Sequence, residues 1–445
     1  MADWERPEGG VETMGERVRS LRRSAGLSQE ELAGGRFSKE YVSQIERGKT
    51  RPTTETLEWL AARLDTDREF LEHGLTRADA ERLEAALIDA ERMLEEVRYA
   101  EALGLFRDVR KRAGAGEAAP AFRLRVLQGE AWARIRLGEL AEAMTLLEQA
   151  ATLAVGAGFT DLDRAEIVFR VGVVRYSESS ITDAIVLFDQ ALVLAEGSQL
   201  PSDRLRSDVF HWRARCHRRN RDWVAAEDDV ERALELAEAC SDTRRIADAL
   251  FQASLVAQRQ GRWLLARTHA ERACVLFESL DDRATVARLV NNRAGLEHLL
   301  GDAQRAVDLL ERAFEMFVDL DLAVDAGYVC SSLAEIRLES GDAELSEMQA
   351  RKALDLLDGR VDHLQEIGTA QLTLGRAYAA QGRLGDADRW IGVADETFEQ
   401  ARSASHRSSA WLAQGDVESR RGNDREAAGL YRRAARSLQE ADTRA

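Results

Sequence analysis

Proline and cysteine are both rare in this sequence, and each scarcity excludes a class of fold. Only four prolines occur in 445 residues, so little interrupts helix formation. The cysteines are far apart and show no paired spacing, which argues against a disulfide framework or zinc site and favours buried, small apolar side chains. They are Cys216, Cys240, Cys274 and Cys330.

Long apolar runs and catalytic signatures are missing as well. No stretch approaches the roughly 18 apolar residues of a membrane span, and the N-terminus is too polar for a signal peptide. The seven histidines lack metal-ligand spacing, and no nucleophile motif, phosphate loop or catalytic carboxylate pair is present. We therefore expect a cytoplasmic protein with no membrane partner that is not an enzyme and has no catalytic residue, metal or cofactor.

The charge of the chain is large and uneven. The net charge of −17 disfavours binding of nucleic acid through the whole surface. Residues 15–52, however, hold nine basic and five acidic side chains, a local charge of +4, so the remainder carries −21. A basic head on an acidic body suits phosphate contacts that are confined to the head.

The basic head has the pattern of several short helices. Gly26 is placed to end a first helix, and Ser28 with Glu31 forms a capping box that begins a second. Ser38 caps a third, and two more follow. Five short helices with a sharp turn between the second and third predict a helix-turn-helix bundle. The expected domains are a flexible tail over 1–14, this bundle over 15–76 and a repeat region over 77–445.

Two stretches of the head carry a family resemblance. LSQEELA over residues 27–33 and S-x-x-Y-V-S-Q-I-E-R-G-K over 38–49 resemble the phage-repressor (Cro/C1, or XRE) family of helix-turn-helix domains. In that family the third helix enters the major groove. The resemblance implies base contacts from Lys39, Glu40 and Gln44, residue types that can pair with base edges. The resemblance also implies phosphate contacts from Gln29, Ser43, Arg47 and Lys49, and Ser38 caps the third helix. The expected interface with double-stranded DNA is therefore Gln29, Ser38, Lys39, Glu40, Ser43, Gln44, Arg47 and Lys49.

The turn before the third helix departs from the family pattern. Gly34-Gly35-Arg36-Phe37 is one residue shorter than the common form. This change would shift the third helix slightly, so two orientations of Glu40 stay open, one facing a base and one facing solvent.

The rest of the chain repeats every 40–42 residues. Each unit has a pair of alanines seven residues apart, and a glycine precedes the first alanine of many pairs by five residues. Two alanines two turns apart allow neighbouring helices to approach closely, and such units bury their apolar faces by stacking. The pairs are Ala143/Ala150, Ala184/Ala191, Ala226/Ala233, Ala266/Ala273, Ala306/Ala313, Ala387/Ala394 and Ala427/Ala434, with Ser346/Ala353 and Ala102/Val109 as variants.

These repeats resemble tetratricopeptide repeats. Gly172, Gly375 and Gly415 match the small position of the first helix, although the period exceeds the usual 34 residues. We count about nine units over 79–441. The resemblance implies an all-α chain in which the five-helix bundle is followed by a right-handed α-solenoid.

A solenoid of this type has a wall formed by its first helices, and polar residues occur there. Asn292 falls where peptide-binding tetratricopeptide proteins place an asparagine that bonds a ligand. Side-chain amides can bond both the N–H and the C=O group of a peptide bond, and arginines bind carboxylates. The alternative is that these side chains are solvated. The candidate groove is Arg215, Gln252, Arg259, Arg288, Asn292, Tyr328, Ser332 and Glu335, whereas Trp132 and Trp212 are expected to pack.

The combined architecture resembles the peptide-responsive bacterial regulators of the Rgg/PlcR/PrgX type, which are related to the Rap sensors. The resemblance implies a transcriptional regulator that binds a DNA operator as a homodimer and a short peptide or protein segment in its groove. Two alternatives stay open. The repeats could bind only a protein partner or serve only in dimerisation, or the chain could be an interaction scaffold whose head no longer binds DNA.

Overall fold

The computed structural model describes residues 13–74, 76–117, 119–156 and 158–442. All regular structure in these ranges is helical, so the predicted all-α class is confirmed. Most of the predicted tail, residues 1–12, lies outside the described residues. The remaining part of that prediction needs correction: Thr13 caps a helix that begins at Met14, so both residues belong to the bundle.

The N-terminal bundle contains five short helices around one core. Capping boxes open the first two, Thr13 with Glu16 and Ser28 with Glu31. Each helix contributes to the core, which includes Val18, Leu32, Val42, Leu60 and Leu71. The helices are α1 Met14–Ser24, α2 Gln29–Ala33, α3 Lys39–Glu46, α4 Thr54–Arg63 and α5 Arg68–His73.

Eighteen further α-helices follow as nine successive pairs in the described ranges. The first helix of each pair is followed closely by a second, and in eight of the pairs the two helices pack together. The pairs are α6 Arg77–Glu95 with α7 Tyr99–Glu117, α8 Pro120–Leu137 with α9 Leu140–Ala154, α10 Asp161–Ser177 with α11 Ile181–Gly197, α12 Asp203–Arg219 with α13 Trp223–Ala239, α14 Thr243–Arg259 with α15 Trp263–Ser279, α16 Arg283–Leu299 with α17 Ala303–Asp319, α18 Ala323–Glu339 with α19 Ala343–Leu356, α20 Leu364–Ala380 with α21 Leu384–Gln400, and α22 Ala404–Arg420 with α23 Asp424–Asp442.

The chain divides into two compact units, one ending at Cys216 and the other beginning at His217. The first unit holds the bundle and the first repeats, and the second unit holds the remaining repeats. None of the described helices combines the length and the apolar character that crossing a bilayer requires.

The repeated alanines lie in the interior of the repeats. Every alanine of the seven regular pairs is buried. Ser346, which replaces an alanine in α19, is also buried, and its hydroxyl donates to the Ala334 carbonyl oxygen at 2.8 Å. The hydroxyl therefore satisfies its hydrogen-bonding capacity inside the core, as a buried polar group must.

The small residues of the first helices permit close contact. A Cβ on Gly172 would lie 2.7 Å from the Phe188 ring, and one on Gly415 would lie 2.5 Å from the Tyr431 ring. A Cβ on Gly375 would lie 2.6 Å from Ile391. Only glycine fits at these points, which accounts for the small position in the repeat pattern.

The turn within each pair uses a residue with positive φ. Gly138, at φ 83°, is one of six glycines that serve there. In three pairs the residue is not glycine, namely Val97, Ser179 and Arg221, with φ of 64°, 64° and 61°. Valine is strained in this conformation because its branched side chain crowds the backbone.

The cysteine and tryptophan predictions are largely confirmed by the packing. Cys216, Cys274 and Cys330 are buried, but Cys240 is only half-buried, because it follows the end of α13 as its C-cap residue. In the first unit, the Trp132 and Trp212 rings meet edge to face with centroids 6.5 Å apart. Both tryptophans thus take part in packing.

Candidate functional site

Helix α3 has one buried side and one exposed side. Val42 and Ile45 are buried in the bundle core. Residues three, four and seven positions apart share one side of a helix, so the polar residues of α3 gather on the opposite side. The predicted interface residues there are Lys39, Glu40 and Gln44, which are exposed, with Ser43 half-buried between them and exposed Arg47 at the end of the helix.

Ser38 and Gln44, both predicted interface residues, have bonds within the bundle. The Ser38 hydroxyl accepts from the Tyr41 backbone N–H at 3.1 Å and caps α3. The Gln44 side-chain oxygen accepts from the Thr50 hydroxyl at 3.0 Å. This bond uses the amide oxygen and leaves the NH2 group of the exposed side chain to donate elsewhere.

Gln29 belongs to a buried network that the sequence patterns did not reveal. The Glu46 carboxylate accepts from Arg22 Nε at 2.5 Å and from Gln29 Nε2 at 2.8 Å. Burial raises the pKa of Glu46, but the bonds from Arg22 and Gln29 and the Arg22 charge outweigh it, so the pKa lies below its ordinary value. Glu46 is therefore an anion that fastens α1 and α2 to the end of α3.

The basic residues of the head divide into internal and external groups. Arg17 is buried and donates to the carbonyl oxygens of Leu71 and Glu72 at 3.2 and 2.9 Å. Arg22 pairs with Glu46, and Arg36 pairs with Glu55. Arg36 is nevertheless exposed, as are Arg19, Arg23, Lys39, Arg47, Lys49 and Arg51. Fewer cations can therefore reach a phosphate than the sequence count suggests.

In the second unit, three predicted groove residues occupy the same position of successive first helices. Gln252, Asn292 and Ser332 are each the tenth residue of α14, α16 and α18. Asn292 connects to the preceding helix twice: its oxygen accepts from the Ser254 hydroxyl at 3.2 Å, and its NH2 donates to Gln258 Oε1 at 3.2 Å. We call the polar residues of these helices the polar wall, defined by Gln252, Arg288, Asn292, Tyr328, Ser332 and Glu335.

Two further members of the polar wall have polar partners. Arg288 Nε donates to Asp325 at 3.1 Å, and the Tyr328 hydroxyl lies 2.5 Å from His363 Nδ1. Burial, with lesser effects of nearby carboxylates, raises the pKa of Tyr328 to about 12. The phenol therefore stays protonated and can donate a hydrogen bond.

Glu335 lies in a recess of the polar wall. It is accessible to solvent, yet protein surrounds it closely enough that burial raises the pKa of its carboxyl. Arg376 and His298 oppose that effect, whereas Glu339 adds to it. An exposed carboxylate at this place in the polar wall can accept hydrogen bonds from a cationic or N–H group.

Unsatisfied polar atoms accompany the polar wall. Among the described residues, Gln252 Oε1, Ser331 Oγ and Asn291 Oδ1 are buried and have no hydrogen-bond partner. Buried polar groups are normally bonded. Three such atoms lie on α14, α16 and α18, the helices that carry the polar wall.

The last two predicted groove residues have different surroundings. Arg215 lies in the first unit, where its guanidinium stacks 4.2 Å from the Trp212 ring centroid and 5.0 Å from that of Tyr176. Arg259 is exposed at the end of α14. Neither is joined to the polar wall by the contacts described above.

Comparisons with known proteins place these features in two families. Residues 13–83 match a helix-turn-helix domain, and residues 245–317 match the tetratricopeptide repeat. The chain thus contains an N-terminal helix-turn-helix domain and C-terminal tetratricopeptide repeats. No curated protein sequence matches it.

Several solved structures share the fold of this helix-turn-helix and tetratricopeptide chain. A Rap protein complexed with competence and sporulation factor is 15% identical, with a TM-score of 0.60, and the match covers 82% of this chain and 99% of that one. The apo form of RapI is 12% identical, with a TM-score of 0.62 and coverage of 81% and 98%. The apo quorum sensor NprR from B. thuringiensis is 12% identical, with a TM-score of 0.62 and coverage of 80% and 99%. At these identities the similarity establishes the fold alone.

Proposed function

We propose that this protein is a cytoplasmic, sequence-specific transcriptional regulator that binds an operator as a homodimer, and that its repeats bind a signalling peptide or a segment of a protein partner. The observation that carries the DNA-binding part is the exposed side of α3. Lys39, Glu40 and Gln44 stand there with side chains that the bundle core does not need.

The arrangement of α3 suits insertion into a major groove. Its buried side is anchored by Val42 and Ile45, and its end is held by Glu46. A rigid helix can present donors and acceptors to base edges at fixed positions. The exposed cations around it then supply contacts to phosphate.

Selection of bound fragments from random duplex DNA by the full-length protein tests the head. Lys39→Ala and Gln44→Ala should each weaken binding to the selected fragment about tenfold and relax the sequence preference at one position. Arg47→Ala should lower the affinity for all fragments alike. It should also reduce by about one the slope of log affinity against log salt concentration. Gln190→Ala, an exposed change on α11, is the control. Unaltered affinity in both α3 variants would rule out this interface.

The polar wall supports the peptide-binding part. An extended peptide offers alternating N–H and C=O groups. The polar wall provides amides, hydroxyls and a carboxylate on the first helices of successive pairs. Gln252 Oε1 and Ser331 Oγ lack partners among the described residues. The Rap protein named above, which has a similar fold, is complexed with competence and sporulation factor, which supports a partner bound by the repeats.

A random-peptide phage library selected on the full-length protein, followed by calorimetry, tests the wall. Asn292→Ala should weaken the selected peptide about tenfold, since it removes two hydrogen-bonding groups. Asn220→Ala, at an exposed asparagine in the second unit, is the matched control. Equal binding by wild type and Asn292→Ala would remove Asn292 from the site, and a library without binders would favour a regulator that has no peptide ligand.

The homodimer follows from the reach of a single head. One α3 covers one half-site, and few exposed cations surround it, so two heads are needed for firm, specific binding. Sedimentation of the protein with and without its selected fragment tests this part. We expect two copies per fragment, and half-sites about 10 base pairs apart or a multiple of that spacing. One copy on an asymmetric site would contradict the dimer.

A further inference from the structure

A large cavity lies in the first unit, whereas the polar wall belongs to the second. Its volume is about 1160 Å³, and it opens between α7 and α9 above the start of α8. This size suits a small organic molecule. The proposed DNA and peptide sites make no use of it.

Small residues on α7 open the cavity. Gly104 lines it, and a Cβ there would touch nothing within 4 Å. Gly114, another lining residue, interrupts the helical backbone with φ 70° and ψ 162°. In the next second helix, α9, the position equivalent to Gly104 is Thr145. The glycine at this position therefore distinguishes α7 from α9.

The floor of the cavity is apolar. Val126 and Leu127 are buried, and Phe122 and Leu153 are half-buried beside them. Apolar surface of this kind gains free energy when a ligand covers it. A purely ionic ligand would leave that surface uncovered, so the ligand must carry an apolar part.

The rim of the cavity is cationic. Arg107, Lys111 and Arg123 line it, and none of them forms an ion pair with another described residue. Arg110 also lines it and pairs with Glu130 at 2.7 Å, while Asp108 is the single acidic lining residue. On the next second helix, Glu148 and Thr152 replace Arg107 and Lys111 at the equivalent positions. A cluster of unpaired cations in a chain of charge −17 is a site for an anion.

We propose that the cavity between α7 and α9 binds a small amphipathic anion, whose carboxylate, sulfonate or phosphate group meets Arg107, Lys111 and Arg123 and whose apolar part covers Phe122, Val126 and Leu127. The ligand would act as a second input to the regulator, separate from the polar wall. The site does not depend on whether the repeats bind a peptide.

Fluorescence titration of the full-length protein with anilinonaphthalene sulfonate, an amphipathic anion, tests the site. Gly104→Leu should fill the cavity without strain, remove one equivalent of bound dye and lower the affinity at least tenfold. Gly392→Leu places the same side chain on α21, where a Cβ also meets nothing within 4 Å, and should bind dye as wild type does. Helical circular dichroism should match in all three proteins. Undiminished dye binding by Gly104→Leu would overturn the proposal.

A second pair of measurements tests recognition of the charge. Lys111→Gln and Arg123→Gln should each weaken the sulfonate about tenfold, as loss of a charge-assisted bond does, while leaving phenylnaphthylamine, the same rings without the sulfonate, unaffected. Arg112→Gln, on the same helix outside the lining, is the control. If both variants bound the sulfonate normally, anion recognition would be wrong. If they instead lost only DNA affinity, the cations would be phosphate contacts and the proposal would fail.

Discussion

The N-terminal bundle and the repeats use polar side chains in opposite ways. In the bundle, Arg17 and Arg22 reach residues that are 54 and 24 positions away, and they tie the helices around a single core. In the repeats, Asn292 and Arg288 reach the neighbouring helix pair, 34 to 38 positions away. These bonds connect distant parts of the bundle to one another, whereas in the repeats they connect each repeat to its neighbour.

This difference predicts two kinds of response to damage. A bundle with one core loses its structure as a whole, because every helix depends on the same contacts. Stacked repeats depend on nearest neighbours, so damage in one pair affects that pair and its neighbours most. Substitutions in the bundle should therefore have wider effects than substitutions in the repeats.

Glu46→Ala should have the largest effect. It leaves Arg22 in a largely buried position without its anion, and removing one partner of a buried pair costs about 3–5 kcal/mol. Hydrogen exchange followed by mass spectrometry should show loss of protection throughout residues 13–74 and little change beyond residue 217. Arg22→Met/Glu46→Met should regain most of the stability. A loss confined to α3 would contradict a bundle that unfolds as one unit.

Acid should reproduce the Glu46 effect in the wild type. Burial raises the pKa of Glu46, but the bonds from Arg22 and Gln29 lower it further, to below the ordinary 4.5. A depressed pKa stabilises the folded state above the ordinary value, and this stability is lost as the pH falls through the folded pKa. Exchange protection of the wild-type bundle should therefore fall below about pH 4.5, and the Glu46→Ala bundle should show a weaker dependence.

Gly172→Ala should have a smaller and local effect. The new Cβ would lie 2.7 Å from the Phe188 ring, and overpacking of this kind costs about 1–3 kcal/mol. Exchange protection should fall in α10 and α11 but not in the second unit. Gly392→Ala, where a Cβ meets nothing, should instead raise stability, since alanine favours helix. Equal losses in both variants would remove close packing as the cause.

Val97→Gly should stabilise the first repeat. Valine with φ 64° is strained, and relief of that strain, less the added flexibility of glycine, should yield about 0.5–1 kcal/mol. Thermal unfolding and exchange in α6 and α7 measure it. Val193→Gly, the same change within helix α11, should lower stability. If Val97→Gly also lowered stability, the turn would owe its shape to valine packing.

Glu335→Gln should have the smallest effect on stability, and that effect should depend on pH. Burial raises the pKa of Glu335. A raised carboxyl pKa means that the ionised form destabilises the fold, so stability is highest in acid and declines as the pH rises from the ordinary value to the folded one. The variant should therefore unfold at a slightly higher temperature than wild type at pH 7 and at the same temperature at pH 4. A lower unfolding temperature at pH 7 would show that the charge is well paired.

Local patterns predicted much of the fold and part of the site. Capping boxes such as Ser28 with Glu31 depend on residues three apart, and the alanine pairs depend on helical spacing, so both can be recognised in one sequence. The pairing of Arg22 and Gln29 with Glu46 joins distant residues and could not be recognised in this way. Glu46 did carry one signal, because it follows Val42 by four positions and thus falls on the inward side of α3.

The same limit applies to the wall and to the cavity. Asn292 was predicted from its place in the repeat, but its bonds to Ser254 and Gln258 require the neighbouring helix. The cavity needs α7, α8 and α9 together, although Gly104, Arg107 and Lys111 share one side of α7 in the sequence. A site formed by three helices is a property of their packing.

Helix α1 connects α5 to α3 through direct contacts at two points. At one point Arg17 holds the last turn of α5, and at another the bare backbone of Gly15 meets the end of α3, where a Cβ would lie 2.5 Å from the Ile45 carbonyl oxygen. Gly15 and Arg17 are two residues apart on one stiff helix. We therefore expect a displacement of α5, the last helix of the bundle, to move α1 and, through it, the end of α3.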